Sequence, residues 1–310
     1  MAEQPLFRRV ALIGIGLIGS SMALAMRRHG LAGEIVCAAR SEATRATALR
    51  LGLVDAAHAT AAEAAKGADL IVLATPIGAF GRIAEEIGPV VEAGAIVTDV
   101  GSVKAMVLRE VGPHLPLNVH LVPGHPVAGT EHSGPEAGFA ELFENRWCIL
   151  TPPEDGDAAA LDKVSRLWAA MGAKVEVMTA QHHDLVLAIT SHVPHLIAYN
   201  IVGTASDLET VTQSEVIKYS AGGFRDFTRI AASDPTMWRD IFLNNREAVL
   251  EMLGRFVEDL TALQRAIRWG EGDTLFDLFT RTRAIRRSIV DAGQETPAAD
   301  FGRRVPGSAE

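Results

Sequence analysis

An apolar run, Val10-Ala11-Leu12-Ile13, passes directly into Gly14-Ile15-Gly16-Leu17-Ile18-Gly19 and then into a helical stretch, Ser20 to Arg28. A buried strand followed at once by a glycine turn and a helix leaves few folds open. Gly14 allows the tight turn, Gly16 lets a pyrophosphate approach the backbone, and Gly19 lets the helix pack close to the strand. The helix N-terminus then offers unpaired N–H groups and the positive end of its dipole to phosphate. The expected dinucleotide contacts are Gly14, Gly16, Leu17, Ile18 and Gly19. The plain alternative is a glycine-rich turn that holds no ligand.

The alternation of strand and helix continues. Strands are expected at Glu34–Ala38, Asp69–Thr75, Ala95–Val100 and Val119–Val122, with helices at Glu42–Leu51, Gly78–Ile87 and from Lys104 to about Val111. These strands are continuously apolar rather than alternating, which indicates a parallel sheet covered on both faces. Trp147–Leu150 and Lys174–Met178 read as further strands, with a helix between them from Asp157 to Met171. Beyond Met178 the pattern becomes helical: Asp184–Val202, Glu209–Ser220, Arg239–Gln264 and Asp273–Val290. The expected fold is therefore an α/β Rossmann-type parallel-sheet domain, residues 1–178, followed by an all-α domain, residues 179–292. Residues 293–310 are polar and rich in Gly and Pro, and are expected to form a flexible tail.

Composition excludes several classes of function. A net charge of −9 gives no electrostatic footprint for nucleic acid and disfavours anionic membrane surfaces. No uninterrupted apolar run reaches the ~18 residues of a membrane span, and Met1–Arg9 has no signal-peptide core. The two cysteines, Cys37 and Cys148, lie in apolar runs. They read as buried thiols of a cytoplasmic protein rather than a disulfide framework. No metal site is expected.

The residue at the end of the second strand of such a fold meets the adenine ribose, and an acid there selects NAD. Here the position carries Ala39-Arg40-Ser41 and no carboxylate. A guanidinium beside a small neutral residue suits a 2′-phosphate, so NADP is slightly favoured over NAD, with Arg40 and Ser41 as contacts. Arg40 stacked on adenine, with NAD serving equally well, is the alternative. Thr75 and Pro76, ending the third strand read above, and Ser102, just past the fourth, complete the expected cofactor contacts.

The residues able to do chemistry cluster in a few short segments. Gly124-His125-Pro126-Val127-Ala128-Gly129-Thr130-Glu131-His132-Ser133-Gly134 is too rich in Gly and Pro for a regular helix or strand. It follows a strand end, where open α/β sheets bind ligands, so His125 is the leading acid/base group. Ser102 follows another strand end. His192 and His195, in Ser191-His192-Val193-Pro194-His195, share one face if helical, and Pro194 can kink that helix. A packed or solvated polar face is the alternative for this pair. Arg225, Asp226 and Arg229 lie in Gly222-Gly223-Phe224-Arg225-Asp226-Phe227-Thr228-Arg229, where Arg225 is equally well explained as a solvated surface charge.

These segments occur in the order and spacing of the prephenate/arogenate dehydrogenase family of tyrosine biosynthesis, which the chain resembles from about Val10 to Val290. The resemblance implies a helical domain that forms a homodimer. It also implies oxidative decarboxylation of prephenate to 4-hydroxyphenylpyruvate, or of arogenate to tyrosine. It makes His125 the base for the substrate's C4 hydroxyl and Ser102 the group orienting that His and the hydroxyl. Arg229 would hold the ring carboxylate and His195, with His192 nearby, the side-chain end. Thr130 and Glu131 belong to the loop over the pocket. It implies no chorismate mutase segment before Val10 and no regulatory domain after Val290. A free imidazole titrates near ~6.5, so kcat/KM is expected to fall below that pH.

Two rival readings stand beside this one. A 3-hydroxy-acid dehydrogenase of similar architecture would depend on a Lys base in the helical domain, but Lys218 is the only Lys after residue 174. A non-catalytic nicotinamide-nucleotide sensor would have no use for Ser102, His125, His195 and Arg229 together.

Overall fold

The computed structural model describes residues 4–130, 132–212 and 222–291. Its first layer is a six-stranded parallel sheet. The strands are β1 (Phe7–Ile13), β2 (Ala32–Ala38), β3 (Ala56–His58), β4 (Leu70–Leu73), β5 (Ile96–Asp99) and β6 (His120–Val122), in the order β3-β2-β1-β4-β5-β6. That is the strand order of a dinucleotide-binding sheet, with the topological switch point between β1 and β4. The register places Val10 beside Ile35 on one side and Leu70 on the other.

Alternate residues of each strand enter different cores. Val10 and Leu12 pack with Met22 and Met26 of α1 (Leu17–Arg28) and with Trp168 of α6 (Ala158–Ala170). Ala11 and Ile13 face the other way, toward α3 (Ala61–Ala65), α4 (Phe80–Ile87) and α5 (Ala105–Val111). Both faces are covered, which is why the strands carry no polar alternation. α2 (Glu42–Arg50) begins at Ser41, whose hydroxyl accepts the Thr44 N–H.

β3 and α3 escape the apolar pattern because both are short and rich in alanine. Their signal is a reciprocal cap: Thr60 accepts the Glu63 N–H while Glu63 accepts the Thr60 N–H.

The Gly-Pro-rich segment departs from expectation. Gly124–Pro126 forms β7, the edge of a second sheet of order β7-β8-β9, with β8 at Trp147–Leu150 and β9 at Lys174–Val177. β7 runs antiparallel to β8, pairing His125 with Ile149, and β8 runs parallel to β9. Proline is tolerated because the strand is an edge. His125 is thus held by a ladder rather than carried on a loop.

α7 (Ala180–Leu187) continues through a π-turn, Ala188–His192, into α8 (Val193–Thr212). Pro194 sits just past this turn and cannot donate a backbone hydrogen bond, so the ladder loosens where the His pair lies. The helical stretch Ala180–Asp207, 28 residues, contains an 18-residue window of mean hydropathy 1.5, long and apolar enough to cross a bilayer. Counting uninterrupted apolar residues misses it because His183, Asp184 and His192 interrupt the run. Those residues are buried and hydrogen-bonded within the protein.

The expected helix Arg239–Gln264 is two helices, Pro235–Asn244 and Arg246–Trp269, parted at Asn245. Asp234 caps the first by accepting the Thr236 and Met237 N–H groups, and Pro235 opens it. The expected helix Glu209–Ser220 lies beyond the described residues from 213 onward, as does the tail beyond 291.

By packing, the chain divides into Met1–Met252 and Leu253–Glu310. The described part of the second unit is a helical hairpin ending at Asp291. Gly270, at φ +70°, ends its first helix, with Glu271 N–H bonded back to the Ala266 carbonyl.

Candidate active site

The β1–α1 turn has the shape its glycines imply. Gly14 has φ +105°, and a Cβ there would lie 2.5 Å from the Ala74 carbonyl oxygen. A Cβ at Gly19 would lie 2.4 Å from the Gly14 carbonyl oxygen, whereas one at Gly16 would meet nothing within 4 Å. Two glycines therefore serve the fold, and Gly16 leaves open space before the helix. No side chain caps α1 at Gly16, and no acid occupies its first turn. Such a turn fits a pyrophosphate, with the N–H groups at Leu17 and Ile18 facing it.

Thr75 and Pro76 follow β4 beside Gly14. At the end of β2, Arg40 is exposed, and Arg45 Nη1 donates to the Ala39 and Arg40 carbonyls at 2.7 and 2.9 Å. The loop that ends β2 is thus braced by a second guanidinium.

A buried ion pair anchors the chemistry. Lys104 Nζ bonds Asp99 Oδ2 with both side chains out of solvent, and also donates to the Gly124 carbonyl at 2.6 Å. Asp99 accepts the N–H groups of Gly101 at 2.8 Å and Gly124 at 3.2 Å. Burial pushes Asp99 up and Lys104 down, and their mutual attraction opposes both shifts. The pair ties β7 to the C-terminal end of β5. A Cβ at Gly124 would lie 3.1 Å from the Asp99 carbonyl oxygen, so glycine permits that approach. β5 lies two strands from β1, roughly 10 Å at ~4.8 Å per strand. The pair thus sets His125 beside the C-terminal end of β5, two strands from the β1 turn.

His125 is 7% exposed, and its Nδ1 lies 2.8 Å from His183 Nε2. His183 Nδ1 lies 2.8 Å from Asp184 Oδ1. Asp184 also accepts the Lys104 N–H at 2.7 Å and the Ala105 N–H at 2.9 Å, anchoring α7 to the first turn of α5. Burial, then the neighbouring His183, Lys104 and His192, hold His125 well below the usual imidazole value. Burial also lowers His183, with Asp184 opposing.

The second histidine group shares this frame. Asn245 Nδ2 donates to the Asp184 backbone carbonyl at 2.8 Å and lies 3.0 Å from His192 Nδ1. His192 is fully buried, which lowers it to about 4. His195 stacks on Trp238 at 3.7 Å, while His192 meets the same ring edge-on at 6.1 Å. His195 Nδ1 donates to the Ser191 carbonyl, and burial, opposed by that bond, lowers its pKa, with Arg229 lowering it further.

Ser102 is half-buried, and its hydroxyl makes no hydrogen bond among the described residues. His183 holds the His125 imidazole at Nδ1. Arg229 sits in a 3-10 turn, Arg229–Ala232, one residue past the helix Gly222–Thr228. Arg225 is exposed and bonded to Asp226, as a solvated charge would be. Thr130 Oγ1 accepts the His132 N–H at 3.2 Å. Glu131 and Lys218 lie outside the described residues.

Asp99, Lys104, His183, Asp184, Trp238 and Asn245 were not singled out by sequence reasoning. A His-Asp pair opening a helix just after the last strand was the available signal.

These lowered histidines carry a stability consequence. Between its folded and unfolded pKa, such a group binds more protons when unfolded, so stability is lost as pH falls through that window. His192 alone, between 6.5 and about 4, accounts for roughly 3 kcal/mol. Urea titrations at pH 7 and pH 5 should show the lower midpoint at pH 5. Equal midpoints would mean these imidazoles are not buried neutral.

Known proteins resemble the chain over most of its length. Residues 22–177 match the family model "Prephenate dehydrogenase, nucleotide-binding domain", and residues 179–281 match "Prephenate dehydrogenase, dimerization domain". The cyclohexadienyl dehydrogenase of Zymomonas mobilis is 40% identical over 91% of this chain and 96% of its own. The prephenate dehydrogenase of Aquifex aeolicus, solved with hydroxyphenyl propionate and NAD+, superposes with a TM-score of 0.86 at 35% identity, covering 91% of this chain and 98% of that one. The Synechocystis arogenate dehydrogenase gives a TM-score of 0.76 at 27% identity, covering 90% and 99%. With the glycine turn, the doubly covered sheet and a family model over each half, the chain belongs to the prephenate dehydrogenase family.

Proposed function

We propose that the protein catalyses the oxidative decarboxylation of prephenate to 4-hydroxyphenylpyruvate, of arogenate to tyrosine, or of both, in tyrosine biosynthesis in the cytoplasm. The observation that carries this reading is a buried imidazole, His125, kept uncharged at the sheet edge beyond the nucleotide turn. The names of the relatives, cyclohexadienyl, prephenate and arogenate dehydrogenase, support the substrate class.

A nicotinamide dinucleotide held on the Gly14–Gly19 turn would supply the hydride acceptor. The chain's residues supply position and a proton sink. As hydrogen leaves C4 of the substrate with its electron pair, the C4 hydroxyl proton passes to His125 Nε2 and C4 becomes a carbonyl. Loss of CO2 then drives an electron pair through the ring onto that oxygen, and return of the proton gives the phenol. Aromatisation makes the whole strongly downhill, so the protein's task is alignment and general-base help, each worth orders of magnitude. In this reading Ser102 contacts the hydroxyl, Arg229 holds the ring carboxylate, and His195 with His192 meets the side-chain end, under a loop carrying Thr130 and Glu131. Arg229→Ala should mainly raise KM, because it removes a charge-assisted clamp; an unchanged KM would place the clamp elsewhere.

NADP is slightly favoured over NAD, supported by Ala39-Arg40-Ser41 and the absence of an acid there. The functional division at residues 178/179 is supported by the end of the last strand at Val177 and the start of α7 at Ala180. A homodimer through the helical part is supported by the hairpin of the second unit. It leaves Ile267, Trp269, Phe276 and Phe279 more than half exposed, and a groove runs between Leu260, Leu263 and Leu275. At micromolar protein, sedimentation should show the dimer; a monomer would refute it.

The direct test is a two-by-two assay of prephenate and arogenate against NAD+ and NADP+, following reduced cofactor and CO2 together. One equivalent of each per turnover is expected, with kcat/KM somewhat higher for NADP+. Cofactor reduction without CO2 would exclude the reaction, and a clear NAD+ preference would exclude the reading of Arg40.

A further inference from the structure

We infer that His183 and Asp184 fix the tautomer of His125, and that His183 takes up part of the positive charge when His125 is protonated. This rests on His125 being the base. The argument begins at Asp184, whose two carboxylate oxygens accept the backbone N–H groups of Lys104 and Ala105. A carboxylate in that position has only acceptors to offer. His183 Nδ1, 2.8 Å from Asp184 Oδ1, must therefore carry a hydrogen. In a neutral ring His183 Nε2 is then a bare acceptor. His125 Nδ1, 2.8 Å from that atom, must in turn carry its hydrogen. The last atom in the series, His125 Nε2, is left with a lone pair, as a base requires.

The opposite assignment places hydrogens on both His183 nitrogens and on His125 Nε2. It makes His183 a buried cation and turns His125 into a donor. That assignment holds one proton more than the first, and His183 has no solvent-exposed side-chain surface, so at rest the extra charge is costly; it arises only when the substrate's proton arrives. The charged and titratable groups around the pair are Lys104, Asp99, Asp184 and His192. Lys104 disfavours a cation on either ring, whereas Asp184 attracts one to His183 alone.

Proton transfer follows the same line. The substrate O–H bond breaks and an Nε2–H bond forms on His125. The Nδ1 proton of His125 can then move to His183 Nε2: one N–H bond breaks, one forms, and His125 is neutral again. The cation now lies on His183 against Asp184. His183 touches no reacting atom in this scheme, so it is a positioning residue with a share of the charge.

Two variants and one spectrum test this in the full chain. His183→Ala should lose ~10- to 10²-fold in kcat with KM nearly unchanged, the scale on which a wrong or unheld tautomer is felt. His183→Gln presents an amide oxygen to His125 and an N–H to Asp184 but cannot hold a proton, so it should recover the part of the loss that comes from the tautomer and not the part that comes from charge. Nitrogen-15 imidazole spectra of the wild type should show His125 protonated at Nδ1 near pH 7. Wild-type kcat in His183→Ala, equal loss in both variants, or a proton on Nε2 of His125 would each overturn the inference. The spectrum decides it even if a variant fails to fold. The base reading fails separately: it falls if His125→Asn keeps its activity, whereas full activity in His183→Ala beside an inactive His125→Asn removes only the relay.

Discussion

His125→Asn should lose on the order of 10²-fold or more in kcat while KM barely moves, the usual scale for removing a general base. Asparagine keeps a polar group of similar reach, and the β7–β8 ladder that holds position 125 is made by backbone atoms and survives the change. What disappears is the nitrogen lone pair at Nε2. Because the imidazole contributes to proton removal rather than to ground-state binding, the loss should fall on the chemical step. Steady-state kinetics with saturating cofactor would show it. Near-full activity in the variant would place the base elsewhere.

The second large effect concerns folding. Lys104→Met leaves Asp99 buried with its counter-charge gone, and breaking such a pair typically costs ~3–5 kcal/mol. Methionine fills similar volume, so the loss is electrostatic rather than a cavity. Two N–H groups still reach Asp99, from Gly101 and Gly124, but the Gly124 carbonyl loses its donor. Urea denaturation would measure the difference. Combining Lys104→Met with Asp99→Asn removes the stranded charge and should recover a large part. A loss below ~1 kcal/mol in the single variant would show that the pair contributes little.

Much of this was legible from residue order. Continuous apolar strands, the glycine turn and the absence of an acid after β2 are local signals, and local signals survive in a linear chain. The parallel sheet and its doubly covered core follow from them. His125 was legible for a similar reason, as a His among glycines just past a strand end. The segment's secondary structure was not, because glycine and proline argue against a strand unless an edge position excuses them, and an edge is a property of the finished sheet.

The partners of His125 were hidden for a different reason. His183 and Asp184 open a helix far along the chain, and Lys104 follows β5. Nothing in spacing says that these three meet, because β7, α5 and α7 come together only when the second sheet packs against the end of the first. The break at Asn245 was similarly invisible: the apolar period runs through it, while its side chain joins His192 to the Asp184 carbonyl. The lowered titration of the histidines is likewise a consequence of burial, and it revises the free-imidazole expectation of ~6.5.

The pH dependence of kcat/KM tests the central claim, a neutral His125 acting as base, most directly. Burial first, and then His183, Lys104 and His192, make protonation of His125 harder. The base therefore stays uncharged to lower pH than a free imidazole, and activity should persist below pH 6.5 before an acid limb of unit slope sets in. That limb should be absent from the residual activity of His125→Asn. An acid limb at or above pH 6.5 in the wild type, or the same limb in the variant, would contradict the account.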